Sequence, residues 1–246
     1  MSLYDEYCSG QHASVIHTLA FCWPLAPDES QVVSASNVAV EFAHRAMQNL
    51  QLIKIELDSL GYRFLNPDAA LVPALPSALD DLGRFEAERG SLPIILKAWY
   101  TVFHSIDFRQ SPEQIIGKDN NSISPVDGLG FNCDLLFMPF LNCVDNCRSS
   151  FRPHTRGGSF LPTGSCGSNY DPKGMNFPTK RFDDVFYNDG SGDVLFTSDM
   201  RFVITCCGFP YWWLVSHGVF GGVPSLHATP EYAHFRECLM PRLIPM

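Results

Sequence analysis

Basic residues are scarce in this chain: 17 lysines and arginines face 26 aspartates and glutamates over 246 residues, a net charge of −9. They form no cluster, so the positive footprint of a phosphate-tracking nucleic-acid binder is missing. An acidic surface suits a solvated protein or a basic partner instead. No apolar run approaches the ~20 residues of a membrane span. The longest near the start, Ala13 to Ala26, contains His17 and Pro24 and follows Asp5 and Glu6, whereas a secretory signal needs a positive leader. The nine cysteines are odd in number and irregular in spacing. They fit a reducing cytoplasm better than a secreted disulfide framework. Also missing are the Walker loop, Gly-x-Gly-x-x-Gly, His-Glu-x-x-His and Gly-x-Ser-x-Gly. These absences shift the expectation from an enzyme to a cytoplasmic binding protein without a cofactor, nucleic acid or membrane.

What is present is enough to bury a core, with 46% hydrophobic and 17% charged residues. Residues 1–36 read as an irregular segment, in which Cys22-Trp23-Pro24 is either an anchor or unattached. Residues 37–246 read as one domain, with an aromatic extension over 211–246. Within it, Phe42, Ala46, Met47, Leu50, Ile53, Leu57 and Leu60 mark one face of a long helix, Asn37 to Leu60, which Gly61 stops. Leu60 to Phe64 reads as a short strand. Prolines 67, 73 and 76 then space an extended connector.

The central stretch is Ser77 to Phe108. Ser77 and Asp80 suggest a capping box, with Leu79, Leu82 and Phe85 at helical spacing. Gly90 supplies a left-handed stop, and Ser91-Leu92-Pro93 restarts a helix whose stripe is Leu96, Trp99, Tyr100, Phe103 and Ile106. Phe131 to Leu141 reads as a buried strand and 142–176 as a long loop. Asp193 to Phe196 and Phe202 to Thr205 read as short apolar runs, and Thr229-Pro230 opens a last helix.

Three constellations could carry chemistry. Cys143 and Cys147, with His154 and Cys166, form a zinc-like set. No second tight pair accompanies them, since Cys206 and Cys207 are adjacent, so free thiols are the simpler reading. Cys166 in a small-residue turn could be a nucleophile, with His154, His104 or His217 as base and Asp171 as orienter. That would make the 143–171 loop the centre of a thiol or metal hydrolase. Asp189, Ser191 and Asp193 alternate as in a calcium loop but lack the closing glutamate, which favours a polar hairpin turn.

Glu86, Gly90, Leu92-Pro93 and the aromatics Trp99 and Tyr100 resemble the start of the SUKH superfamily, which holds fungal cell-wall-synthesis regulators and many bacterial immunity proteins. The order of helix, proline-rich connector and helix pair resembles in particular a group of bacterial proteins with a longer helical N-terminus. Asp134-Leu135-Leu136 is similar to the family's Asp-Pro-Leu strand without its proline. Gly157-Gly158 or Gly164 to Gly167 corresponds to its Ser-Gly-Gly run. Phe177-Pro178, Asp184 and Asn188-Asp189 are similar in kind and order. Cys207-Gly208-Phe209-Pro210 resembles its Gly-Gly-Phe-Pro ending, with Cys207 for the first glycine and without the family's preceding helical segment.

The resemblance covers about Asn37 to Pro210 and leaves the tail out. It implies an α+β fold, with helices packed on one face of a mostly antiparallel sheet. Helical patterns followed by short strands point to the same class. It further implies a protein that binds a toxin domain and blocks it; the alternatives are the hydrolase above and a regulatory scaffold. Glu86, Gly90, Leu92, Pro93, Gly208 and Pro210 are expected to be structural. The expected binding surface comprises Asp183, Asp184 and Asp189 with Phe209, Tyr211 and Trp212; core packing of Tyr211, Trp212 and Trp213 is the competing reading.

Overall fold

Helical structure begins at the very start of the chain. In the computed structural model, which describes residues 2–109, 111, 136–137, 139–140, 159–165, 172–188, 193–208 and 230–246, helices α1 (Leu3–Cys8) and α2 (His12–Phe21) precede α3 (Glu29–Ser59). The expectation of an irregular segment over 1–36 is therefore corrected. Two capping boxes start these helices: Ser2 with Asp5, and Asp28 with Gln31. In the second, the Asp28 carboxylate accepts from the Gln31 N–H at 2.8 Å and the Gln31 side chain accepts from the Asp28 N–H at 2.9 Å. Tyr7, Val15, Ile16 and Leu19 are buried, so α1 and α2 belong to the core. Trp23, partly buried against that core, donates its indole N–H to the Lys180 carbonyl at 3.0 Å, which makes the turn before α3 an anchor.

Helix α3 buries Phe42, Ala46, Leu50, Ile53 and Leu57 on one face, as their spacing requires. It ends in a Schellman motif. Gly61, at φ 78, bonds back to Asp58, and the Tyr62 N–H bonds to Leu57. That ending uses the segment expected as a strand; only Phe64 makes an isolated bridge, and Tyr62 is held by its hydroxyl to the Phe108 carbonyl. The proline connector forms a 3₁₀ turn (Pro67–Ala69) and strand β1 (Leu71–Pro73).

Two helices follow, α4 (Ala78–Arg89) and α5 (Ile94–Val102), as the glycine between them suggests. Ser77 makes no cap bond, against the expected capping box, because its own backbone is already helical. The apolar stripe does not stay helical to Ile106 either. After Val102 the chain turns extended into β2 (Phe103–Asp107), where every residue except the partly exposed His104 is buried. Strands β3 (Leu136–Phe137), β4 (Ser159–Ser165) and β5 (Pro172–Phe177) complete a five-stranded sheet of order β1-β2-β3-β4-β5, antiparallel throughout. The 142–176 stretch expected as a loop thus contributes β4 and most of β5.

A separate two-stranded antiparallel sheet pairs β6 (Val185–Asn188) with β7 (Asp193–Leu195); the expected polar turn over 189–192 lies outside the described residues. The apolar run Phe202 to Thr205 forms the second half of helix α6 (Phe196–Thr205). It too ends in a Schellman motif: Cys207 N–H to Ile204 and Gly208 N–H to Val203, with Cys207 left-handed at φ 52. A cysteine therefore occupies the left-handed position where glycine is usual.

Helix α7 (Pro230–Leu239) starts at Pro230 as expected; Thr229 lies outside the described residues. The chain end is part of the core, not an appendage. Phe235, Leu239 and Met246 are buried, Arg242 pairs with Glu56, and the buried Asn49 grips Ile244 through both its N–H (2.7 Å) and its carbonyl (2.9 Å). The centre of the molecule is aromatic. Trp99 of α5 stacks on Phe103 of β2 at 4.2 Å and meets Phe137 of β3 and Phe196 of α6 at 5.5 and 5.0 Å.

Candidate functional site

The motif residues singled out by the sequence converge on one joint. Glu86 on α4 reaches past the helix end, and its carboxylate accepts from the Leu92 N–H at 2.9 Å and pairs with Lys97 at 3.2 Å. Gly90, between the two helices, has φ 98 and ψ 170, and a Cβ there would lie 2.6 Å from the Pro178 Cβ. Pro93 caps α5 just outside its first turn.

The segment opposite, 178–184, serves nearly every neighbour. The Thr179 N–H bonds to Ser91, the Lys180 carbonyl receives Trp23, and the carbonyls of Arg181 and Phe182 accept from Ile94 and Ile95. Those last two bonds satisfy N–H groups that a helix start leaves unpaired. Glu86, Gly90, Leu92 and Pro93 thus all take part in this joint, and Gly208 in a helix-ending turn.

Asp183 is the correction of most consequence. Expected on an acidic binding surface, it is 2% exposed. Its carboxylate accepts from the Thr197 N–H (3.0 Å), the Thr197 hydroxyl (2.6 Å) and the Asp184 N–H (2.8 Å). Leu195 at the N-cap of α6 has no side chain able to cap, so a carboxylate from 14 positions upstream does it. Burial pushes the Asp183 carboxyl up to about 6, against the hydrogen bonds from Thr197 and Asp184, which favour its charge.

Because the folded state holds that proton more tightly than the unfolded chain, Asp183's contribution is complete below about pH 4 and is lost as pH rises through about 6. Urea unfolding of the wild type and Asp183→Asn should therefore diverge across that window, the wild type losing at most about 3 kcal/mol relative to the variant. Parallel pH profiles would contradict this assignment. Asp184 is itself largely shielded and bonds the Val185 N–H at 2.8 Å.

Asp189, Phe209, Pro210, Tyr211 and Trp212 lie outside the described residues, as do Cys143, Cys147, His154, Cys166, Asp171 and His217. Among the described residues no three His, Cys, Asp or Glu side chains are grouped to hold a metal. Cys206 and Cys207 are buried, and burial pushes both thiols up to about 12, the wrong direction for a nucleophile.

The surface feature that sequence reasoning missed lies at the start of α3. Phe21, Leu25, Val32, Val33 and Val40 are all exposed, Leu25 completely. An open cleft of about 710 Å³ between α1 and the first turns of α3 is lined by Ser2, Tyr4, Asp28, Glu29, Val33 and Asn37. The Asp28 carboxyl is held below its ordinary value by the Gln31 N–H and the Ser30 hydroxyl, so it stays charged. The available signal was the Asp28-x-x-Gln31 box: once the helix starts at Glu29, these valines fall off its buried face.

The fold defines a mixed α+β protein with a helical N-terminal layer and small antiparallel sheets. No protein-family model, curated protein or solved structure matches the chain.

Proposed function

We propose that the chain is a non-catalytic protein-binding module of SUKH-like type, acting in the cytoplasm as an immunity protein that covers a toxin domain. The observation that carries the binding reading is the exposed apolar set from Phe21 to Val40, with Val33 also lining the cleft. Apolar anchors bordered by polar groups are where interface energy concentrates. Asp28 and Glu29 on the cleft, and the net charge of −9, suit a partner with a basic rim around an apolar contact. The common role of Glu86, Gly90 and Pro178 in one joint supports the SUKH-like part of the reading, since it gives the motif residues a shared structural reason.

A photo-crosslinking residue placed at Leu25, in lysate of the source cell, should yield a discrete adduct with one identifiable protein. Phe21→Asp with Val33→Asp, the crosslinker kept at Leu25, should abolish that adduct while leaving the urea midpoint unchanged, because both side chains are exposed. The purified chain should then suppress the captured protein's activity. Equal cross-linking from Leu60, exposed at the other end of α3, would reject this surface. A captured protein whose activity is unaffected would reject the immunity role.

A further inference from the structure

A second cavity, of about 350 Å³, opens where the start of α2, the C-terminal half of α6 and the 240–246 segment meet. Its lining is two-sided in character. His12 and Arg201 supply polarity, while Ile204, Leu243, Ile244 and Met246 supply aliphatic surface. The outer wall is held in place by Asn49 on Ile244 and by Arg45, which donates to the Pro245 carbonyl at 3.0 Å.

Among the described residues the charges around this cavity do not balance. Arg45 is matched by Glu41 at 2.8 Å and lies 5.1 Å over the Tyr7 ring. Its guanidinium also meets His12 Nε2, and a guanidinium can only donate, so that nitrogen is the acceptor and His12 is neutral. Burial, Arg45 and Arg201 together hold the His12 ring below its ordinary pKa, in agreement with that state. Arg201 is different: among the described residues its guanidinium has no hydrogen bond or ion pair, although it stands close enough to act on both His12 and Tyr7. The Tyr7 hydroxyl in the same group is buried and also without a partner among the described residues. Among the described residues this one positive charge, lining a cavity of small-ligand size with an aliphatic wall, has no ion-pair partner.

We infer that this cavity is a binding site for a small aliphatic monocarboxylate, with the carboxylate on Arg201 and the tail against Ile204, Leu243 and Met246. A guanidinium fork matches a carboxylate in two parallel hydrogen bonds, and partial burial strengthens the pair. The aliphatic wall excludes a fully hydrated dianion, because desolvating a second charge would find no second cation to offset it. The site is independent of the partner surface at Phe21 to Val40.

Hexanoate is the probe, titrated into the intact chain by calorimetry, with 1-hexanol and inorganic phosphate as controls. Hexanoate should bind saturably at one site. Arg201→Gln should weaken it at least about tenfold, the loss of one charge-assisted contact, while Arg201→Lys retains part of the affinity. Hexanol and phosphate should each bind at least about tenfold more weakly, since each lacks one half of the match. Arg201 is half-exposed, so circular dichroism and urea unfolding should show Arg201→Gln folded as the wild type. Absent hexanoate binding, affinity unchanged in Arg201→Gln, or phosphate binding as tightly as hexanoate would each overturn the assignment.

Discussion

Gly90→Ala is expected to destabilise the protein by about 3 kcal/mol, read as a lowered urea midpoint with an unchanged slope. Two costs combine. The backbone at φ 98 and ψ 170 is essentially restricted to glycine, and any β-carbon there would sit 2.6 Å from the Pro178 Cβ. Neither partner can yield cheaply. Pro178 begins the segment that bonds Ser91, Trp23, Ile94 and Ile95, so moving it disturbs several elements at once. Gly61→Ala is the matched control. It also has positive φ, at 78, but nothing lies within 4 Å of its added carbon. It should cost about 1 kcal/mol, the left-handed penalty alone. Equal losses at the two positions would show that contact with Pro178 contributes nothing.

The second large effect is Trp99→Ala, expected to cost about 3–5 kcal/mol. Trp99 is fully buried and touches rings from β2, β3 and α6 together. Its removal opens a cavity bounded by Phe103, Phe137 and Phe196, whose positions are tied to separate elements and cannot collapse together. Trp99→Phe should cost markedly less. It keeps most of the ring contact, and it removes an indole N–H that is buried without a partner among the described residues. If Trp99→Phe proved as costly as Trp99→Ala, the ring stack would not be the source of the stability. Thermal and urea unfolding of the two variants decide between these outcomes.

Much of this architecture was legible in residue order. The face of α3, its stop at Gly61, the α4–α5 pair about Gly90 and the start of α7 at Pro230 all follow from rules that act within a few residues. Apolar spacing and left-handed glycine are local properties, and nothing distant overrode them. The failures were also local in origin. The start of α3 is marked only by the short Asp28-x-x-Gln31 box, ahead of the apolar stripe, and the exposed valines of the proposed binding surface lie in that first part of the helix. The stripe from Leu96 to Ile106 was carried past Val102, because a buried strand and a buried helix share an unbroken apolar composition.

What the sequence determined by itself was therefore the α+β class, the largest helices and the residues around which the chain turns. Tertiary structure alone decided what the polar residues do. Asp183 reads as one member of an acidic surface run, yet it is buried because α6 lacks a local cap and its first N–H groups need an acceptor. Arg45 has Glu41 one helical turn before it, a local pair, whereas Arg201 lines a cavity that exists only when α2, α6 and the chain end pack together. Burial depends on neighbours far apart in the chain, such as Asn49 and Ile244 at 195 positions, and no local pattern encodes it.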